Sequence, residues 1–198
     1  MDRIRADGRV IGKDILKIDS FLNHQVDVDL MEVIGEEFAR YFRRKEITKV
    51  LTVEASGIAP AIFTARALRK PLLYARKSKP STMDAGHYAA EVQSFTKGRV
   101  FDITVSASFL GPSDKVLIID DFLAFGSTVR GLLEITSRAG AEVVGVGIVV
   151  EKGFQEAGRQ LREQGIDLCS LVVIDRMSEG SVEMHGGIPA ASAGHPRR

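Results

Sequence analysis

Apolar residues in this chain recur at two spacings. Over 29–44, DLMEVIGEEFARYFRR, Leu30, Val33, Ile34, Phe38 and Phe42 lie three and four apart, which places them on one helical face with charges opposite. Shorter branched-apolar runs read as buried strands at 47–53, 71–76 (PLLYAR), 116–121 (VLIIDD), 142–152 (EVVGVGIVVEK) and 168–175 (LCSLVVID). Between them, 127–139 and 154–165 carry helical periodicity. A turn at 54–57 leads into a further helix whose Pro60 sits near the first turn, where a missing N–H costs little. Strands alternating with helices predict an α/β fold, a mostly parallel twisted sheet with helices on both faces.

Two regions break this rhythm. Residues 77–113 contain KSKPSTMDAGH and then YAAEVQSFTKGRVFDITVSAS, whose alternation predicts two antiparallel strands turning near Lys97 and Gly98, a mobile hairpin flap. The stretch 186–198, GGIPAASAGHPRR, has small residues, two prolines and no periodicity, so 1–186 is expected as a single domain and 187–198 as a disordered tail.

Composition narrows the chemistry. The chain has 198 residues, 44% hydrophobic and 27% charged, which suits one domain with a sizeable core. A formal charge of +1 gives no global basic field for nucleic acid, so any anion site is local. Cys169 is the single cysteine; it excludes a disulfide framework and a cysteine-rich metal cluster and fits a reducing, cytoplasmic setting. The opening MDRIRADGRVIGKD has no apolar signal core. No segment approaches the roughly 18 apolar residues of a membrane span, so no membrane partner is expected.

The candidate chemistry lies in VLIIDDFLAFGSTVRG, 116–131. Ligands of open α/β sheets sit beyond the carboxyl ends of strands, where loop and helix N–H groups point outward as anion donors. Gly126 admits close backbone approach, and Ser127 and Thr128 add hydroxyl donors suited to a phosphate monoester. Asp120 and Asp121 suit the vicinal hydroxyls of a ribose, or Mg²⁺ held directly or through water. The same residues also fit a capped strand end and a solvated turn, with Ser127 or Thr128 as the N-cap. A receiver-type domain pairs acidic residues at a strand end too, and LVVID ending at Asp175 imitates its phosphoacceptor strand, but no element pattern is read after Asp175 to complete that fold.

VLIIDDFLAFGST resembles the PRPP-binding signature of the type I phosphoribosyltransferases, in which a hydrophobic strand leads to two acidic residues and a small loop. KIDSFLNHQ (17–25), VEASGIAPA (53–61), ARKSK (75–79), SFTK (94–97) and GVGIVVEKGF (145–154) follow the same family in order, and together they resemble its xanthine-specific subfamily from about Leu16 to Met184. The resemblance implies that fold, with a small hood formed by N- and C-terminal segments and the flexible hairpin. It implies transfer of the 5-phosphoribosyl group from PRPP to a purine, releasing pyrophosphate, with Mg²⁺ carried by PRPP and the chain acting as a homodimer. Xanthine is the expected purine; hypoxanthine or guanine is the alternative, and a non-catalytic PRPP sensor the non-enzymatic one. Such sensors add a DNA-binding module before this domain, and the about twenty residues ahead of SFLNHQ are too few for a winged helix.

By resemblance, Ala124, Phe125, Gly126, Ser127 and Thr128 would cradle the 5′-phosphate, and Asp120 and Asp121 would hold the ribose hydroxyls as the catalytic pair. Glu54, Ala55, Ser56 and Gly57 match the pyrophosphate loop. Arg76, Lys77 and Lys79 fall where the family places cations near pyrophosphate. Asn23 and Lys152 match base-contacting positions, with Leu16 as apolar contact and Phe154 as stacking neighbour; xanthine's carbonyls call for such donors. Phe125 stands where the family commonly has a small or polar residue, and a bulky aromatic tolerates positive φ poorly.

Overall fold

The computed structural model describes residues 1–12, 15–77, 86–94 and 98–188. Lys79, residues 95–97 of the SFTK segment and the tail from 189 lie outside the described residues. The chain opens with α1 (Asp2–Asp7) and the antiparallel pair β1 (Arg9–Ile11) and β2 (Ile15–Lys17). A short π-helical segment, Asp19–Asn23, then buries Phe21 and Leu22. None of these early elements was read from the sequence, because each is shorter than the window over which periodicity shows.

Helix α2 (Val28–Tyr41) begins at Asp27, whose carboxylate accepts from the Leu30 N–H at 3.1 Å. Its buried stripe differs from the expected one: Met31 is inside and Val33 is 56% exposed. The cause is α3 (Ile58–Leu68), which follows β3 (Lys49–Val53). A Cβ at Gly35 would lie 2.4 Å from the Phe63 carbonyl carbon, so α2 rests there on the α3 backbone and its buried face is centred on Gly35 and Phe38.

Strand β4 (Leu72–Ala75) is not fully buried as expected; it is the sheet edge, and Tyr74 is exposed. The hairpin strands β5 (His87–Ser94) and β6 (Arg99–Ser106) pair antiparallel in the predicted arrangement. Ala90, Val92, Ile103 and Val105 are buried in one core cluster with Val129 and Leu132, so the hairpin lays an apolar face over the helix that carries them. Arg76 and Thr104 exchange backbone hydrogen bonds of 2.9 and 2.8 Å, which ties the end of β4 to β6.

β7 (Lys115–Leu123), α4 (Ser127–Arg138), β8 (Glu142–Lys152), α5 (Ala157–Glu163) and β9 (Leu168–Ser178) complete the alternation. Helix α5 is shorter than the 154–165 expected, because the Gly153 N–H continues the sheet by donating to the Ile174 carbonyl at 2.8 Å. β9 runs past Asp175 and turns back into β10 (Ser181–Gly186), where the sequence shows no periodic pattern. The Gly187 N–H still donates to the Leu171 carbonyl at 3.3 Å, and Ile188 packs against the core.

The six-stranded sheet has the order β10-β9-β8-β7-β3-β4, parallel except for β10. One cluster, with Phe38, Phe42 and Ala61, lies under α2 and α3; the other, with Leu132, Ile135 and Leu161, lies under α4 and α5. From β3 the chain steps outward to β4, then crosses back to β7 and proceeds the other way. The strand order therefore reverses between β3 and β7, and the crevice beyond their carboxyl ends is where open α/β sheets bind ligands.

Candidate active site

Strand β7 delivers the two aspartates to that crevice. It does not end at them: pairing continues through Phe122 and Leu123 opposite Val150 and Glu151. Asp120 and Asp121 are 4% and 8% exposed, and the Asp121 N–H donates to Asp120 Oδ1 at 3.0 Å. Burial, then the charge and hydrogen bond of the neighbouring Asp121 carboxyl, push the Asp120 carboxyl well above the usual carboxylate range, with Lys77 pulling the other way. Among the described residues neither aspartate makes an ion pair.

The 54–57 turn closes on the same point from β3. A Cβ on Gly57 would stand 2.4 Å from Thr52 Oγ1 and 2.7 Å from Asp120 Oδ1, so only glycine lets this turn lie against the carboxylate. Thr52 Oγ1 is buried without a hydrogen-bond partner among the described residues. The Glu54–Ala55 peptide is cis. Glu54 accepts from the Lys77 N–H at 2.6 Å, and the Lys77 ammonium lies over the Phe101 ring at 5.4 Å, so the segment after β4 is tied both to this turn and to the hairpin. Arg76 is exposed beside it.

The 124–128 segment forms the third wall. The left-handed conformation falls on Gly126, φ 76°, and not on Phe125, whose ring is 47% exposed. The concern that an aromatic would be forced to positive φ is thereby removed. Gly126 is also the N-cap of α4, and no side chain caps the helix, so neither Ser127 nor Thr128 plays the capping role. The first backbone N–H groups of α4 then lack intrahelical acceptors and carry the positive end of the helix dipole.

The residues matched to base contact lie further along the strand ends. Lys152 pairs with Ile174, whose side chain is in the core cluster that also holds Leu16, Phe21 and Leu22. Lys152 itself is half-buried, and in the N-terminal segment Asn23 is exposed just after Leu22. Leu16 itself is buried, and Phe154 is 40% exposed in the turn after Lys152. Below the same segment lies an apolar cavity of about 310 Å³, lined by Phe21, Leu22, Met31, Val149 and Val172 and remote from the aspartates in its lining.

Some groups near the strand ends carried little or no sequence signal. Glu151, 3% exposed, receives both terminal nitrogens of Arg162 at 2.8 and 2.7 Å and the Ser170 hydroxyl. Gly158 makes room for it, since a Cβ there would lie 1.8 Å from Glu151 Oε1. The available signal was a lone acid ending the apolar run VGVGIVVE. Thr52 and Arg130 gave no signal above ordinary strand and helix residues.

The phosphoribosyl transferase domain family matches residues 20–169. The xanthine phosphoribosyltransferase of Moorella thermoacetica is 57% identical over 92% of this chain and 93% of its own length. That of Geobacillus thermodenitrificans is 52% identical over 93% and 95%. Among solved structures, the adenine phosphoribosyltransferase of Giardia lamblia, complexed with 9-deazaadenine, superposes with a TM-score of 0.69 over 83% of this chain and 92% of that one, at 20% identity. The Trypanosoma brucei enzyme, in complex with AMP, pyrophosphate and ribose-5-phosphate, gives 0.69 over 87% and 78%, at 17% identity.

Proposed function

We propose, from the premise that this chain belongs to the phosphoribosyl transferase domain family, that it is a xanthine phosphoribosyltransferase of purine salvage: xanthine and PRPP give xanthosine 5′-monophosphate and pyrophosphate. The observation that carries the reaction class is the meeting of the Gly57 turn with the buried Asp120 carboxylate at the β3/β7 reversal. The choice of purine follows the two relatives at more than half identity.

In this reading the α4 N-terminus and the 124–128 backbone take the 5′-phosphate, with Ser127 and Thr128 hydroxyls as further donors. Asp120 and Asp121 accept from the ribose hydroxyls and place a negative field beside the oxocarbenium-like charge that develops at the anomeric carbon. The 54–57 backbone takes the pyrophosphate, with Arg76, Lys77 and Lys79 as neighbouring cations. Lys152 and Asn23 donate to the purine carbonyls, Leu16 gives apolar contact and Phe154 stacks. Holding base and ribose at reacting distance supplies the orientation term, so no covalent nucleophile is required.

The residues fit Mg²⁺. Two adjacent buried carboxylates without an ion-pair partner among the described residues provide the one or two protein oxygens that Mg²⁺ takes beside substrate phosphates. Bound there, the ion would offset the charge of the departing pyrophosphate. We further propose one domain over 1–186, a cytoplasmic homodimer, the hairpin as a closing hood, and no nucleic-acid or membrane partner. No helix among the described residues is long and apolar enough to cross a membrane.

The test is product formation from PRPP and Mg²⁺ with xanthine, hypoxanthine, guanine and adenine. Xanthine is consumed fastest, and adenine slowest, because Lys152 would face its exocyclic donor. PRPP binding with every purine inert would favour the sensor reading instead.

A further inference from the structure

The loop that would hold the 5′-phosphate turns on Gly126, and glycine populates positive and negative φ about equally, so nothing in the residue itself fixes which way its peptide faces. The neighbours explain why a stiffer residue is excluded. A Cβ at Gly126 would meet the Ala157 Cβ at 2.9 Å and the Arg130 guanidinium at 3.0 Å. The loop therefore requires glycine and, with it, an external restraint.

Arg130, one turn into α4, supplies a restraint of the right kind. Its backbone N–H donates to the Gly126 carbonyl at 2.9 Å, and its guanidinium Nη2 donates to the Phe125 carbonyl at 2.5 Å. The Phe125 carbonyl and the Gly126 N–H belong to one peptide unit. The cis peptide recorded among the described residues is Glu54–Ala55, so the 125–126 unit is trans and its carbonyl and N–H point to opposite sides. Holding the carbonyl against the guanidinium directs the Gly126 N–H away from it. Were the peptide to flip, a carbonyl oxygen would face the anion in place of a donor.

We propose that Arg130 is a positioning residue for PRPP: it latches the Phe125–Gly126 peptide so that the loop presents a donor to the 5′-phosphate. The inference rests on the phosphoribosyl-transfer reading and adds a residue to it. Arg130 is exposed, so its replacement leaves the core untouched.

The experiment measures PRPP affinity by calorimetry, XMP formation and melting temperature for the wild type, Arg130→Ala, Arg130→Gln and Arg130→Lys. Loss of one charge-assisted hydrogen bond predicts that Arg130→Ala raises the PRPP Kd and KM by roughly 10-fold. The xanthine KM and the melting temperature stay close to wild type. Arg130→Gln, neutral but able to donate to the same carbonyl, recovers most of the loss. Wild-type values in Arg130→Ala overturn the latch, and so does recovery by Arg130→Lys without recovery by Arg130→Gln, which would mean attraction by charge alone. A wild type that binds PRPP but makes no XMP removes the transferase reading and leaves the latch to be judged on the calorimetry; a wild type that does not bind PRPP removes both.

Discussion

Asp120 near the end of β7 and Glu151 near the end of β8 are carboxylates on neighbouring strands, 4% and 3% exposed, and their surroundings are opposite. Burial would raise Glu151 as it raises Asp120. Hydrogen bonds from Arg162 and Ser170, with the Arg162 charge, outweigh that cost and hold Glu151 below its ordinary range. Asp120 is buried with another carboxyl beside it, and the Asp121 N–H and the pull of Lys77 do not offset this, so it is held well above the ordinary range. A buried charge is tolerated when donors surround it, and an unpaired one is costly. The Glu151 cluster is thus complete in the protein alone, whereas in the proposed reading the Asp120 pair is completed by hydroxyl donors and a divalent cation that bind there.

The largest effect that would break this contrast concerns activity. Asp120→Asn lowers XMP formation by about 100-fold or more, the order seen when one transition-state electrostatic partner is removed. Its melting temperature is no lower than wild type, because the neutral amide keeps the shape of a side chain whose charged form burial disfavours. Near-normal turnover would remove Asp120 from the chemistry.

Glu151→Gln should behave in the converse way. Weakening hydrogen bonds to a charged group costs about 2 kcal/mol, or roughly 4–8 °C for a domain of this size, with turnover of the folded enzyme changed only a few-fold. The deficit also fades in acid: Glu151 is lowered in the folded state, so its contribution is present above the ordinary carboxylate range and is lost as pH falls through the folded value. A large loss of activity without thermal destabilisation would make Glu151 part of the reaction and erase the distinction.

The smallest effect sharpens the Asp120 side. Since its folded value is raised, the native state holds the extra proton between the ordinary and the raised pKa, and that contribution to stability is lost as pH rises through this window. Binding of hydroxyl donors and Mg²⁺ favours the ionised form, so PRPP affinity weakens as pH falls through the raised value. Lys77→Met removes an opposing charge and shifts this acidic limb to higher pH. Titration of PRPP affinity against pH reads the displacement, and an unmoved limb would detach Lys77 from Asp120.

The site was legible where its signal is local. Val116–Ile119 is a run of branched apolar residues that can only be buried, and Asp120, Asp121 and the Gly126–Thr128 loop follow it within a few residues. The Glu151 cluster was illegible because its donors, Arg162 and Ser170, lie 11 and 19 residues away on other elements. The α2 face was partly misread for a related reason: periodicity gives the width of an apolar stripe, but the neighbour at Gly35 sets its centre.

The alternation of strands and helices from α2 to β9, the aspartate pair and the glycine loop were determined by the sequence alone, since they depend on hydrophobic period and on the geometry of adjacent residues. Tertiary structure decided the rest. Packing β3 beside β7 set the Gly57 turn against Asp120, while β9 and α5 beside β8 gave Glu151 the Ser170 and Arg162 donors; among the described residues Asp120 has no ion pair. Charge compensation depends on distances between groups far apart in the chain, and only the folded sheet fixes those distances.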